Sequence, residues 1–337
     1  DLLAYRLTEL IGLMKLPKIG IIGIGMVGSQ LARYFGEIRK LTRGANLFLC
    51  DIDPKKKYSD DVLRADIIFV CVPTPRSPDG SANLSAVESA VAMIDKSNRS
   101  NKKSRGEKTI VIKSTVPPGT TERLQKQYPA YQFVFNPEFL TESQAWEDMI
   151  RPDRQIVGYA DDRAKEAATA VLRLLPDAFF KSPSLHGCYE GHYVTATEAE
   201  TGKIAANVFG AIKVTFANIL ADFCEALEKP ASYENVRHIL THDGRIGPAW
   251  LDVRHGSYRG FGGYCFPKDL DAFIARGDEL TGKLKKKKDA ESRGLALLLS
   301  KGLAVFKAIR SYNETLLQSQ GYSVRQVSTH EKDINLP

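Results

Sequence analysis

Apolar residues fall first in short blocks and later at helical spacing. From Lys18, Ile19-Gly20-Ile21-Ile22 reads as a strand entering a glycine turn, and Gln30, Leu31 and Tyr34 continue it as a helix. Further apolar runs at 47–50, 67–72, 109–112 and 133–135 alternate with polar or helical stretches. This alternation predicts a parallel, doubly wound α/β sheet. The pattern changes near Tyr193. Residues 193–228 lack proline and place Ile204, Val208, Ile212, Phe216, Ile219, Phe223 and Leu227 at helical spacing. They predict a helix of roughly nine or ten turns, stopped by Pro230 and long enough to cross a domain and form a subunit contact. A glycine-rich loop at 256–263 leads to Cys265-Phe266-Pro267-Lys268-Asp269, and helical sequence resumes from Leu270 and again over 290–317. Residues 318–337 read as a polar, loose tail.

Gly23-Ile24-Gly25-Met26-Val27-Gly28 matches GxGxxG between a strand and a helix. The first glycine permits the tight turn, the second lets backbone approach a pyrophosphate, and the third allows close helix packing. Asp51, at the end of the next strand, is placed to accept from ribose hydroxyls, with Asp53 as the alternative. A carboxylate there repels a 2′-phosphate, so NAD is favoured over NADP. The expected organisation is a Rossmann-type NAD-binding domain over 16–190, a helical central domain with the long dimerisation helix over 191–317, and the tail.

The 337 residues suffice for two domains but not three full-sized ones. With 43% hydrophobic and 26% charged residues and no apolar run of about 18 residues, no membrane span is expected. Residues 1–15 lack the order of a signal peptide and read as an appended remnant or a fraying helix. Five cysteines without a CxxC pair indicate neither a disulfide framework nor a zinc site, which fits a reducing, cytoplasmic setting and no metal. The net charge of +7 sits largely in short lysine runs at 55–57 and 283–288. No aromatic residues interleave these runs, so nucleic-acid binding is disfavoured, whereas an anionic substrate would be attracted.

Cys265 precedes a proline that suits a first helical turn, and a helix N-terminus lowers a thiol's pKa, so Cys265 is the candidate thiolate. Cys50, Cys71, Cys188 and Cys224 read as inert buried thiols. Lys203 and Asn207, four apart, share a helix face.

Several segments together resemble the UDP-glucose/GDP-mannose 6-dehydrogenase family, in the family's order over about 18–315: Cys71-Val72-Pro73-Thr74-Pro75, Lys113-Ser114-Thr115-Val116-Pro117-Pro118-Gly119-Thr120-Thr121, Phe135-Asn136-Pro137-Glu138-Phe139-Leu140-Thr141-Glu142, the stretch 198–207, Arg245-Ile246-Gly247, and the specific Gly260-Phe261-Gly262-Gly263-Tyr264-Cys265-Phe266-Pro267-Lys268-Asp269. The resemblance implies four-electron oxidation of a nucleotide sugar's primary alcohol to a carboxylate with two NAD, UDP-glucose to UDP-glucuronate being the type case. Cys265 would form a thiohemiacetal and then a thioester. Lys203 would stabilise the oxyanion with Asn207 as a further donor. Asp269 would act with a water as base, and Glu138 would activate the hydrolytic water. Thr115 and Glu142 match positions facing the nicotinamide and that water; Val72, Pro73, Thr74 and Lys268 join the cofactor set with Gly23, Gly25, Met26, Val27, Gly28 and Asp51. Glu138, Phe139, Leu140, Lys203, Asn207, Arg245, Phe261 and Gly262 form the implied substrate set. Arg245 resembles an arginine that reaches a neighbouring subunit's substrate, which implies a homodimer.

Three departures stand out. Only about a dozen residues separate Asp53 from Asp66, where the family usually has a helix, a strand and a loop. Tyr264 replaces a usually small residue. The chain ends soon after Ser311-Tyr312-Asn313-Glu314, about where the family begins a third, nucleotide-covering domain, so the expectation is a chain lacking it, with its substrate held by the central domain and its dimer mate or covered by a partner chain. Two other readings remain: a two-electron hydroxyacid dehydrogenase of the 6-phosphogluconate type, which needs no nucleophilic cysteine, and a non-catalytic NAD-binding protein.

Overall fold

A computed structural model describes residues 16–100, 107–183 and 193–328. The reading of residues 1–15, and that of Cys188, lie outside the described residues. In chain order the elements are β1 Ile19–Ile22, α1 Met26–Arg33, β2 Leu47–Cys50, β3 Ile67–Val70, α2 Ser85–Ser100, β4 Thr109–Ile112, α3 Thr120–Gln127, β5 Gln132–Phe135, α4 Ala145–Ile150, β6 Arg154–Ile156, β7 Gly158–Tyr159, α5 Lys165–Leu174, β8 Phe180–Ser182, α6 Ala196–Ala226, α7 Tyr233–Thr241, β9 Arg254–His255, β10 Tyr258–Arg259, α8 Phe266–Lys285, α9 Ala290–Gln318 and α10 Val324–Val327. They form two compact units: Asp1–Thr74 with Leu84–Glu200, and Pro75–Asn83 with Thr201–Pro337.

The first unit is built on a sheet of order β2-β1-β3-β4-β5-β7, parallel except for β7, which runs antiparallel to β5. Side chains alternate between its two faces with the strand period of two. Ile19, Ile21, Leu47, Leu49, Ile67, Phe69, Val111 and Val134 enter one core with residues of α1 and α5. Ile22, Phe48, Ile68, Val70, Ile110, Ile112, Phe133 and Phe135 enter the other with residues of α2 and with Ala196 and Ala199. Burying each such side chain contributes about 1.5–3 kcal/mol, which makes the strands near-continuous apolar runs and the fold doubly wound, as expected. Between β2 and β3 lie only two short 3-10 turns, Pro54–Lys56 and Val62–Arg64. Among the described residues, β2 therefore stands at the sheet's margin, without the further strand that a doubly wound sheet of the usual 3-2-1-4-5-6 order carries outside it.

Helix α6 starts three residues later than the spacing predicts and ends two earlier. Thr195 and Glu198 cap it reciprocally: the Thr195 N–H and hydroxyl donate to Glu198, and the Glu198 N–H donates to the Thr195 hydroxyl. The boundary between the units falls inside this helix, because Ala196 and Ala199 are buried in the first unit's core. Among the described residues α6 is the helix long and apolar enough to cross a membrane by length and composition, with 44% of that window buried.

The second unit packs Ile204, Val208, Ala211 and Val214 of α6 against Phe261, Leu270 and Ile274, with Phe306 and Ile309 of α9 at the margin. Gly277 lets α9 approach α8, since a Cβ there would meet Leu303 at 2.6 Å. The expectation of a loose tail from Gln318 is corrected over 319–328. Tyr322 and Val324 pack around Leu317, Tyr258 and Val327, the last fully buried, and Ser323 with Gln326 forms a capping box on α10. These apolar residues were too sparse to show a period, yet tertiary burial outweighs local polarity. Residues 329–337 lie outside the described residues.

Candidate active site

Most of the candidate cofactor residues lie in the first unit. Gly23 has φ +89°, and a Cβ there would lie 2.7 Å from the Cys71 carbonyl oxygen. A Cβ on Gly28 would fall on the Gly23 carbonyl oxygen. Over Gly25, in contrast, no atom lies within 4 Å of such a Cβ. The turn is therefore closed beneath and open above the second glycine. Gly25 caps α1 without a side-chain hydrogen bond, and no acidic residue stands in the first turn that contains Met26 and Val27. The first-turn N–H groups thus face no capping side chain, and with the helix dipole they suit an anion such as a pyrophosphate. These residues fit a dinucleotide.

Asp51 sits at the end of β2 beside this turn. Its Oδ2 accepts from Ile24 N–H at 2.7 Å and from Lys56 Nζ at 2.9 Å, and its Oδ1 accepts from Asp53 N–H at 2.9 Å. Burial alone would raise its pKa, but Lys56 and the two N–H donors outweigh that and hold the carboxyl below its ordinary value. Asp53 instead caps the Pro54–Lys56 turn through Lys55 N–H. Lys56 was missed from sequence because it sits in an otherwise ordinary lysine run; only the fold pairs it with Asp51.

At the carboxyl ends of β3, β4 and β5, the Thr74 hydroxyl donates to the Thr115 carbonyl at 2.7 Å. Val72 is half-buried and Pro73 exposed. The buried Lys113 ammonium donates to Asn136 Oδ1 at 2.7 Å, tying two motif segments together. Glu138 is 8% exposed and accepts from Leu140 N–H at 2.7 Å. Phe139 lies under the Arg154 guanidinium, 3.8 Å from the ring centroid. Glu142 opens the short turn before α4. From far along the sequence, Glu200 accepts from Gly119 N–H, Thr121 N–H and the Thr121 hydroxyl at 2.6–2.8 Å. Burial pushes its carboxyl up to about 7 in spite of these donors.

Most of the candidate catalytic residues of the sequence lie in the second unit. Lys203 is 3% and Asn207 9% exposed, both on α6, so Lys203 is not a surface lysine. Asn207 Nδ2 donates to Asp269 Oδ2 at 2.5 Å, and Lys268 Nζ donates to the other oxygen of the same carboxylate. Asp269 is 1% exposed. Cys265 is the half-buried N-cap residue of α8, Pro267 stands in the first turn, and Asp269 N–H donates to the Cys265 carbonyl at 2.9 Å. Its thiol therefore begins the helix turn that carries Lys268 and Asp269. Gly210, one turn beyond Asn207, permits this: a Cβ there would lie 2.5 Å from the Phe266 ring. No motif marks Gly210, whose role exists only through a neighbour 56 residues away.

Cys50 and Cys71 are poor nucleophiles, because burial raises both thiols, Cys71 to about 12. Cys224 is buried. Phe261 is buried and Gly262 half-buried in the loop before Cys265. Burial also raises the Tyr264 phenol. Arg245 is exposed and its guanidinium pairs with Asp243 at 2.6 Å. Among the described residues no group of His, Cys, Asp and Glu could hold a metal ion.

A model of the NAD-binding domain of the UDP-glucose/GDP-mannose dehydrogenase family matches residues 54–175, and that of the family's central domain matches 197–291. The glycine turn lies upstream of the first match, so its assignment rests on the geometry above. UDP-glucose 6-dehydrogenase of Rhizobium meliloti is 37% identical over 230 residues, 64% of this chain and 48% of that protein. UDP-glucose 6-dehydrogenase 3 of Oryza sativa subsp. japonica is 35% identical over 247 residues, 69% of this chain and 46% of that one. The chain thus spans about half the length of these curated relatives. The structure of a UDP-glucose dehydrogenase from the archaeon Pyrobaculum islandicum aligns with a TM-score of 0.67 and 27% identity, covering 91% of this chain and 71% of that one. Two domain models of one family, matched in order, and a fold shared over nine-tenths of the chain lead to one conclusion: the chain belongs to the UDP-glucose/GDP-mannose dehydrogenase family, whose first domain binds NAD.

Proposed function

We propose that the protein oxidises the primary alcohol of a nucleotide sugar, of the UDP-glucose to UDP-glucuronate type, to the carboxylate, and that Cys265 holds the carbon covalently between the two oxidations. The observation that carries this reading is the buried Asn207–Asp269–Lys268 cluster in the first turn of the helix that Cys265 caps. A solitary buried carboxylate needs such donors, and their arrangement beside a helix-capping thiol suits base and nucleophile chemistry.

Gly23, Gly25, Gly28 and Asp51, with Val72, Pro73, Thr74, Thr115, Glu142 and Lys268, would hold NAD, which when bound supplies the two-electron acceptor for each oxidation. Asp269, through a water, takes the proton of the alcohol as it becomes an aldehyde. The Lys203 ammonium and the Asn207 amide stabilise the oxyanion that develops when the Cys265 thiolate adds to the carbonyl carbon. Oxidation of this thiohemiacetal leaves a thioester. Glu138 then takes a proton from the attacking water, the C–S bond breaks, and the thiolate returns to Cys265. Phe139, Leu140, Phe261 and Gly262 would line the sugar side.

The working form in this reading is a cytoplasmic homodimer. Phe209, Phe216, Ile219 and Phe223 form a stripe along α6, each 48–61% exposed, an apolar face of the kind that partners cover. Arg245 would then serve the neighbouring subunit's substrate.

Screening UDP- and GDP-sugars for NADH, and counting NADH formed per sugar consumed, tests the reading. A ratio of two with acid as product, abolished in Cys265→Ser, is expected. A ratio of one overturns it in favour of a two-electron dehydrogenase, and acid formation by Cys265→Ser at the parent rate overturns the covalent role of the cysteine.

A further inference from the structure

Three separate clamps hold the glycine loop that delivers Cys265, and all come from the chain's C-terminal stretch. Asn313, 2% exposed, brackets Phe261: its Oδ1 accepts from Phe261 N–H at 2.8 Å and its Nδ2 donates to the Phe261 carbonyl at 2.9 Å. Gln320 brackets Arg259 in the same way, at 2.8 and 3.1 Å. The Val327 carbonyl accepts from Gly263 N–H at 2.7 Å, two residues before the cysteine. The loop is shaped to receive them. Gly260 has φ +98°, and a Cβ there would lie 2.6 Å from Asn313 Oδ1. A Cβ on Gly262 would collide with the Tyr258 hydroxyl and come within 2.8 Å of the Val327 carbonyl. Gly263 has φ +70°. Glycines without side chains to pack lose much conformational freedom on ordering and cannot hold such a path by themselves.

We propose that residues 313–328 act as a positioning clamp for the Cys265 thiol, Gln320 and the docked Val327 being its distal parts. Helix α8 fixes the backbone on the C-terminal side of Cys265, while the clamp fixes the approach from Gly260 to Gly263. The thiol needs both to meet a carbonyl carbon along one trajectory. Val327 is anchored by burial among Tyr258, Leu317, Tyr322 and Val324. None of these clamp residues touches substrate in this scheme; they act through the loop. The inference rests on the reading of Cys265 as nucleophile.

The test uses the full chain with iodoacetamide as probe and follows the Cys265 peptide by mass spectrometry across a pH series. Gln320→Leu removes one bracket, and Val327→Asp undocks α10. Each is expected to slow Cys265 alkylation and kcat for acid formation by about tenfold to a hundredfold, or to shift the pH midpoint of alkylation, while NAD affinity stays at the parent value. Val327→Ile, which keeps the apolar anchor, is expected to retain parent reactivity. Parent alkylation rate and pH midpoint in Gln320→Leu overturn the clamp even if Val327→Asp does not fold, and so does an equal loss of NAD affinity, which marks general unfolding. Failure of the functional reading looks different: there, Cys265→Ser itself leaves acid formation intact.

Discussion

Asn207 and Asp269, 62 residues apart, share a hydrogen bond of 2.5 Å between the long helix α6 and the first turn of α8. The same carboxylate takes the Lys268 ammonium, whose side chain is 9% exposed. Removing the charge by Asp269→Asn leaves that ammonium buried without its partner. The expected cost is about 3 kcal/mol or more of stability, together with a loss of about a hundredfold or more in alcohol oxidation. Thermal denaturation and NADH production read the two effects separately. Parent activity in this variant would remove Asp269 from the chemistry.

Gly210 makes the close approach of α6 to Phe266 possible. Gly210→Ala places a methyl group into the Phe266 ring and should destabilise by about 1–3 kcal/mol, slowing the Cys265 reaction as the start of α8 shifts. Adding Phe266→Leu makes room and should recover part of both losses. Strict additivity of the two changes would show that the contact is not the cause.

Asp51 joins the glycine turn to the Lys56 ammonium. Asp51→Ala should weaken NAD binding and narrow the preference over NADP, because the repulsion of a 2′-phosphate is lost and Lys56 gains an anion to bind. Titration with both dinucleotides measures this. Since the folded-state carboxyl lies below its ordinary value, its contribution to stability is present above about pH 4 and is lost as pH falls. The acid limb of stability should therefore be shallower in the alanine variant.

Glu200 gives the opposite sign. Its carboxyl rises from 4.5 to about 7 on folding, so between those values the folded state binds more protons than the unfolded one. Stability then falls as pH climbs from about 4.5 to 7, by on the order of 3 kcal/mol at most. In Glu200→Gln this neutral-side slope should flatten in chemical denaturation at stepped pH. An unchanged slope would assign it to another group.

Much of the fold was legible because it is written in local periods. The strands at 47–50, 67–70 and 109–112, the glycine turn, the long helix and the helix start at Cys265 all carry their own spacing signal. Candidate site residues could be picked out where one residue's chemistry is distinctive, as with Cys265 and Asp51. What escaped were single contacts across long sequence separations. Gly210 against Phe266, Gln320 around Arg259, and Glu200 on the turn at 119–121 leave no period behind. The docking of 319–328 escaped for the same reason, since two or three apolar residues among polar ones gain their meaning only from Tyr258.

The shortened link between β2 and β3 also decides the fate of the sheet's outer margin. Asp51 N–H donates to the Tyr58 carbonyl, Asp60 N–H to the Leu49 carbonyl, and the Asp60 side chain, clasped by Arg43, accepts from Leu49 N–H. Backbone groups of Leu49 and Asp51 that would otherwise invite a foreign strand are thus satisfied by two residues of the link itself, Tyr58 and Asp60. A brief irregular hem shields this margin of the sheet without a further ribbon beside it.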